Sequence, residues 1–184
     1  HISYSELSKW DFCPFARKLM YEDKLRKFKG NIFTAFGLAI HKVCEKYFES
    51  GRELDKAFFF GEVLRKELKS LEKGGTVLKE KDIKDFYDQG IGICTELDAA
   101  FDSYFGEGFK FIKAEETLME KIGEFTATDY KFKGYIDLIV QTPDGKYHVI
   151  DYKSCSWGWD AKKRSSRMVT YQLTLYKHYW AQKM

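Results

Sequence analysis

Three neighbouring stretches decide the reading of this chain: Gly134-Tyr135-Ile136-Asp137-Leu138-Ile139-Val140, Pro143-Asp144-Gly145-Lys146 and Val149-Ile150-Asp151-Tyr152-Lys153. Two apolar, β-branched runs flank a Pro-Asp-Gly turn, the mark of an antiparallel hairpin. Each run carries one acid. Asp137 stands inside an otherwise apolar strand, with Tyr135 and Ile139 expected on its face, and a charge there is costly unless paired or metal-bound. Pairing about the turn carries Asp137 and Asp151 towards one end of the sheet, where two carboxylates repel unless a cation lies between them. Asp151 and Lys153, two apart, project from one face of a strand. Asp-x-Lys alone says little: it occurs five times, at Asp82, Asp129, Asp144, Asp151 and Asp160, but only Asp151 ends an apolar strand.

Upstream of the hairpin, Phe109–Ile122 and Phe125–Thr142 are rich in β-branched and aromatic residues, so with Tyr147–Tyr152 they form an antiparallel meander. Before them the pattern is helical. Ser3 and Glu6 have capping-box spacing, and a short helix follows them. Pro14 restarts the chain as a helix over Phe15–Leu25. Apolar residues at helical spacing predict helices over Thr34–Glu49, Leu54–Leu71 and Asp82–Phe105, the last with Gly90 and Gly92 as soft spots. Ser165–Lys183 is helical again. The expected class is therefore α+β (mixed α/β). Residues 1–184 read as one domain, with 1–108 mainly helical and 109–184 supplying the sheet and both acid-bearing strands. Because the chain closes on its last helix, a truncated C-terminus is expected.

The 184 residues carry 44% hydrophobic side chains and a formal charge of +3, which excludes a disordered chain. No apolar run approaches the roughly 20 residues a bilayer helix needs. The charge is uneven. Residues 146–184 hold eight Lys+Arg against two Asp, and residues 1–145 hold 23 against 26. A basic end on a near-neutral chain suits either a polyanion partner or a solvated tail. Cys13, Cys44, Cys94 and Cys155 include no Cys-x-x-Cys pair, so reduced thiols and a cytoplasmic setting (or an intracellular, phage-encoded one) are expected rather than a zinc ribbon.

Three further groups stand out. His41 has Gly37 one turn before it, leaving room for close approach, and Glu45 one turn after it, able to orient it; a lone helical His is also a common structural residue. Of Glu115 and Glu116, alternation allows only one on the face of the site, and Glu116 is the expected one. Gln172 and Tyr176 share a helix face, preceded by Lys162, Lys163, Arg164 and Arg167, which suit phosphate contacts or a solvated surface equally.

In this order, Cys13-Pro14, Phe36-Gly37-x-x-x-His41, Gly134-x-x-Asp137, Asp151-x-Lys153 and Gln172-x-x-x-Tyr176 resemble the PD-(D/E)XK nuclease superfamily, specifically its RecB-like exonuclease branch. The likeness covers residues 3–48 and 109–180. It implies a restriction-endonuclease-like core, a central mixed sheet flanked by helices. It implies one or two Mg²⁺ or Mn²⁺ ions held by His41, Asp137, Asp151 and the backbone carbonyl of Tyr152; Glu116, which alternation puts on the same face, is the candidate for a further ligand. It implies Lys153 as the residue that activates or positions water, with Gln172 and Tyr176 supporting the site. Some members of the branch hold an iron–sulfur cluster through one Cys before a Pro and three near the C-terminus. Cys13 fits the first place, but no Cys follows Cys155, so no cluster is expected in this chain.

Two functions fit these residues. One is a metal-dependent deoxyribonuclease, an exonuclease on single strands or duplex ends, with Lys162, Lys163, Arg164 and Arg167 along the DNA path. Trp157 and Trp159 would then stack on bases, or equally form a packed loop. The other is a nucleic-acid-binding module that keeps the fold without hydrolysis. No nucleotide-driven motor is encoded, since Gly-x-x-x-x-Gly-Lys-[Ser/Thr] is absent. Strand preference, polarity, oligomeric state and pathway are not written in these motifs.

Overall fold

The computed structural model describes residues 1–25, 28–123, 130–154, 158 and 160–184. After strand β1 (Ile2–Ser3), helix α1 spans Tyr4–Phe12, and Ser3 Oγ accepts the Glu6 N–H at 3.2 Å. The expected return bond from Glu6 is missing, because its carboxylate is buried and takes Arg17 Nε at 2.9 Å. Pro14 opens α2 (Pro14–Arg17), which runs into a single wide π turn over Lys18–Glu22. Helix α3 (Ile32–Glu49) starts two residues earlier than expected. Asn31 and Thr34 form a reciprocal capping box that satisfies its first donors. Helices α4 (Lys56–Lys73) and α5 (Glu80–Phe105) follow. Gly90 is no soft spot: a Cβ there would lie 2.0 Å from Phe60 Cζ, so the glycine admits the Phe60 ring.

Strands β2 (Lys110–Lys121), β3 (Lys131–Gln141) and β4 (Tyr147–Ile150) form the expected antiparallel meander. The first part of the expected strand Phe125–Thr142 lies outside the described residues. β2 pairs along the whole of β3. On the other edge, β1 runs parallel beside Phe132 and Lys133, and β4 pairs from Leu138 to Gln141. The sheet is therefore mixed, and Gly134–Asp137 is left between the two edge strands. Short α6 (Ala161–Arg164) precedes α7 (Arg167–Lys183).

Helices cover both faces, so the α+β class and the flanked mixed sheet hold. On one face Ala114, Leu138 and Val140 join α3, α4 and α5; on the other Leu118, Phe132, Ile136 and Ile139 meet Tyr176, Tyr179 and Trp180 of α7. Full burial of each large apolar side chain contributes about 1.5–3 kcal/mol. Simple alternation would put Ala114 with Leu118 and Ile136 with Leu138. They fall on opposite faces because both strands change phase together at Glu115 and Asp137. Glu115 has φ +48, a left-handed conformation that costs a side chain of its kind on the order of 1–3 kcal/mol. Ile139 consequently packs against α7 while Asp137 turns to α3, which corrects the expectation that they share a face.

Candidate active site

The phase change lies where two helices and two strand ends meet. From α3, His41 presents both ring nitrogens: Nε2 lies 3.1 Å from the Tyr152 carbonyl oxygen and Nδ1 lies 3.6 Å from Asp137 Oδ1. A carbonyl only accepts, so Nε2 carries the proton. In neutral imidazole, Nδ1 would then turn a lone pair towards a carboxylate oxygen. That arrangement is favourable only with a proton or a metal ion between them. Burial pushes the His41 pKa down, but the Asp137 bond and charge, the Tyr152 carbonyl and Asp151 outweigh it, so the net direction is up. Glu45 does not orient His41, because its buried carboxylate is held by Lys42 at 2.5 Å and Lys46 at 3.2 Å.

Tyr152 is fixed at three points. Its N–H donates to Asp137 Oδ2 at 2.6 Å, its carbonyl faces His41, and its ring meets the imidazole edge-on at 5.5 Å between centroids. The ring packs against the helical core beside the Cys44 thiol, whose pKa burial pushes up to about 12. Gly37 makes room for the following segment, since a Cβ there would stand 3.0 Å from Ser154 Oγ.

Asp151 is held from the opposite side. Gln172 Nε2 donates to Asp151 Oδ1 at 2.7 Å and to the Tyr176 hydroxyl at 3.2 Å, while Lys153 makes a close ion pair with Asp151 Oδ2. Gly134 lets the Tyr176 ring approach β3 closely, because a Cβ there would come within 2.8 Å of Tyr176 Cε1. Burial raises the Asp151 pKa and Asp137 adds to it, against the lowering pull of Lys153. Continuing the Leu138–Ile150 register by one step sets Asp137 opposite Asp151.

The acid that completes the cluster is Glu115, not Glu116. One ligand atom each from His41, Glu115 and Asp137 lies within 4.8 Å of the other two. Burial raises the Glu115 pKa, and the Asp137 and Glu45 charges raise it further. Glu116, the expected residue, turns to the α7 face and binds Lys183 at 2.5 Å. Alternation counted from Ala114 gives the wrong glutamate because the strand resets its phase at Glu115, and nothing in the local residue pattern announces that reset. Asp151 is not one of these three; its two oxygens engage Lys153 and Gln172.

Lys162, Lys163, Arg164 and Arg167 lie exposed on α6 and the first turn of α7. Arg167 binds Asp11 at 3.2 Å and stacks over Tyr171 at 5.4 Å. Trp157, Trp159 and Cys155 lie outside the described residues. No helix among the described residues is long and apolar enough to cross a membrane.

A histidine and two carboxylates that converge on one point, beside a lysine-paired aspartate at a strand end, form a donor set suited to a hard divalent cation. Neither the curated proteins nor the solved structures give a significant match to this chain. A family model for the PD-(D/E)XK nuclease superfamily matches residues 1–184, and the chain belongs to that superfamily.

Proposed function

We propose that this chain is a divalent-metal-dependent deoxyribonuclease of the RecB-like branch that hydrolyses phosphodiester bonds from a DNA end. One observation carries the reading: His41 and Asp137 face each other across 3.6 Å, both bonded to the backbone of Tyr152, next to the Asp151–Lys153 pair. Oxygen donors with one imidazole fit Mg²⁺ or Mn²⁺, and the imidazole favours Mn²⁺. His41, Glu115 and Asp137 would hold the ion, with Asp151 and the Tyr152 carbonyl beside them. When bound, such an ion lowers the pKa of water and offsets charge on the phosphate.

The side chains do the positioning. Gln172 fixes the Asp151 rotamer with a 2.7 Å bond, and Tyr176 fixes Gln172. Lys153 brings an ammonium to Asp151, where it can position the attacking water and balance charge as the phosphate reacts. Lys162, Lys163, Arg164 and Arg167 would hold backbone phosphates of the strand.

The test is cleavage of end-labelled single-stranded and duplex DNA with Mn²⁺, Mg²⁺ or EDTA, beside Asp151→Ala. Cleavage is expected with either metal and not in EDTA, and the variant is expected to lose a factor on the order of 10²–10⁴. Activity that survives EDTA or the substitution would sink the proposal. Binding without cleavage under every metal would favour the non-hydrolytic module.

A further inference from the structure

We propose that the exposed rings of Phe12, Phe15 and Tyr171 form a base-stacking surface for single-stranded DNA leading to the Asp151 side of the site. The inference rests on the nuclease reading and narrows its substrate to an unpaired strand. Phe12 is 80% exposed, Phe15 66% and Tyr171 42%. The Asp11–Arg167 bond joins the end of α1 to the start of α7. Tyr171 immediately precedes Gln172, the residue that holds Asp151. At the other end of α1, Tyr4 lies near enough to Asp151 to feel its charge.

The charge on this surface selects the partner. Lys9 stands over the Phe12 ring at 5.4 Å, and the Arg167 guanidinium stands over Tyr171 at 5.4 Å. Lys162, Lys163 and Arg164 lie exposed just before α7, and Arg167 is shared with Asp11. A second copy of this chain would cover the rings but would set these cations against one another. A duplex would satisfy the cations but keeps its base faces stacked inside. A single strand offers phosphates to the cations and bare base faces to the rings.

The probes are fluorescein-labelled oligo(dT) and a blunt duplex, bound to Asp151→Asn protein and read by anisotropy over a range of salt. Adding Phe12→Ala and Phe15→Ala should weaken oligo(dT) binding about 10- to 100-fold, as expected for lost base stacking. Duplex binding should stay within about twofold, because the phosphate contacts remain. Tyr104→Ala, which removes another exposed ring from α5, should change neither. Unchanged oligo(dT) binding overturns the proposal, as does an equal loss on duplex. So does a dimer-to-monomer shift on sedimentation with oligo(dT) binding intact, which would assign the rings to a second copy. Circular dichroism melting checks that the double variant is folded before its binding is read. Cleavage by the wild-type chain with Mn²⁺ separates the two readings: a chain that binds oligo(dT) through these rings but never cuts loses the nuclease assignment and keeps the stacking surface.

Discussion

The Tyr152 N–H donates to the Asp137 carboxylate at 2.6 Å, taking the place of a sheet bond just beyond the end of β4 at Ile150. A side chain therefore ties down the chain two residues past the end of β4, and the same carboxylate faces His41. Asp137 thus has two duties, and substitutions can part them. Asp137→Asn keeps an acceptor for the N–H but loses the charge. It should melt close to wild type and bind Mn²⁺ at least about tenfold more weakly, the scale of losing a group that only supports a ligand. Asp137→Ala also leaves the Tyr152 N–H unpaired and should lose about 1–3 kcal/mol of stability. Chemical denaturation beside Mn²⁺ titration checks both; equal stability of the two variants would remove the structural duty.

Protons and metal compete for the space between His41 and Asp137. The pKa values of His41, Glu115 and Asp151 are all raised, so protons stay on these groups to higher pH than on free side chains. Mn²⁺ affinity should therefore fall as pH drops, beginning above the ordinary histidine value of about 6.5. Calorimetric titrations in buffers of different ionisation enthalpy would show proton release on binding. Affinity independent of pH between the neutral and mildly acidic range would argue that these groups do not face the ion.

Two glycines in α5 should respond oppositely to alanine. Gly90→Ala drives a methyl group into Phe60, a 2.0 Å approach, and should cost about 1–3 kcal/mol through overpacking. Gly92 has open space around it, so Gly92→Ala should gain up to about 1 kcal/mol from helix propensity. Thermal melts of both variants check the signs, with cleavage per folded molecule expected at the wild-type level.

Asp98 links three helices. The Tyr47 hydroxyl donates to it at 2.5 Å, and Lys56 pairs with its other oxygen. Burial pushes its pKa up, but Lys56 and Tyr47 outweigh that, and the net direction is down. A carboxyl with a depressed folded pKa contributes stability above its unfolded pKa of about 3.9 and loses it as pH falls through the lower folded value. Asp98→Asn should therefore destabilise at neutral pH, by on the order of 1 kcal/mol for this part-exposed group. The gap should close below about pH 4. A gap that stays constant down to strong acid would assign the loss to packing.

Much of the site is legible in the sequence because its residues lie where local periodicity is strong. The apolar runs around Asp137 and Asp151 and the turn at Pro143 give the hairpin. The spacing of Gly37 to His41 and of Gln172 to Tyr176 gives the two helix faces that close on it. What the pattern does not contain is tertiary. The left-handed backbone at Glu115 exchanges the roles of two adjacent glutamates, and Lys183, which takes Glu116, is a long way along the chain. Glu6 has the spacing of a capping box, yet Arg17 draws its carboxylate inward. The two-residue strand β1 is too short to carry any period and exists only because β3 offers an open edge beside Phe132.

Lys153 is the residue whose loss separates metal binding from cleavage. Single-turnover cleavage of an end-labelled strand, with Mn²⁺ occupancy followed by electron paramagnetic resonance in the same samples, compares the wild-type chain with Lys153→Ala. Lys153 holds Asp151 but is not among the groups assigned to the ion, so the variant should keep bound Mn²⁺ and lose cleavage by a factor on the order of 10²–10⁴. A Lys153→Ala chain that binds Mn²⁺ and cuts at the wild-type rate would contradict the assignment of this site as the catalytic one.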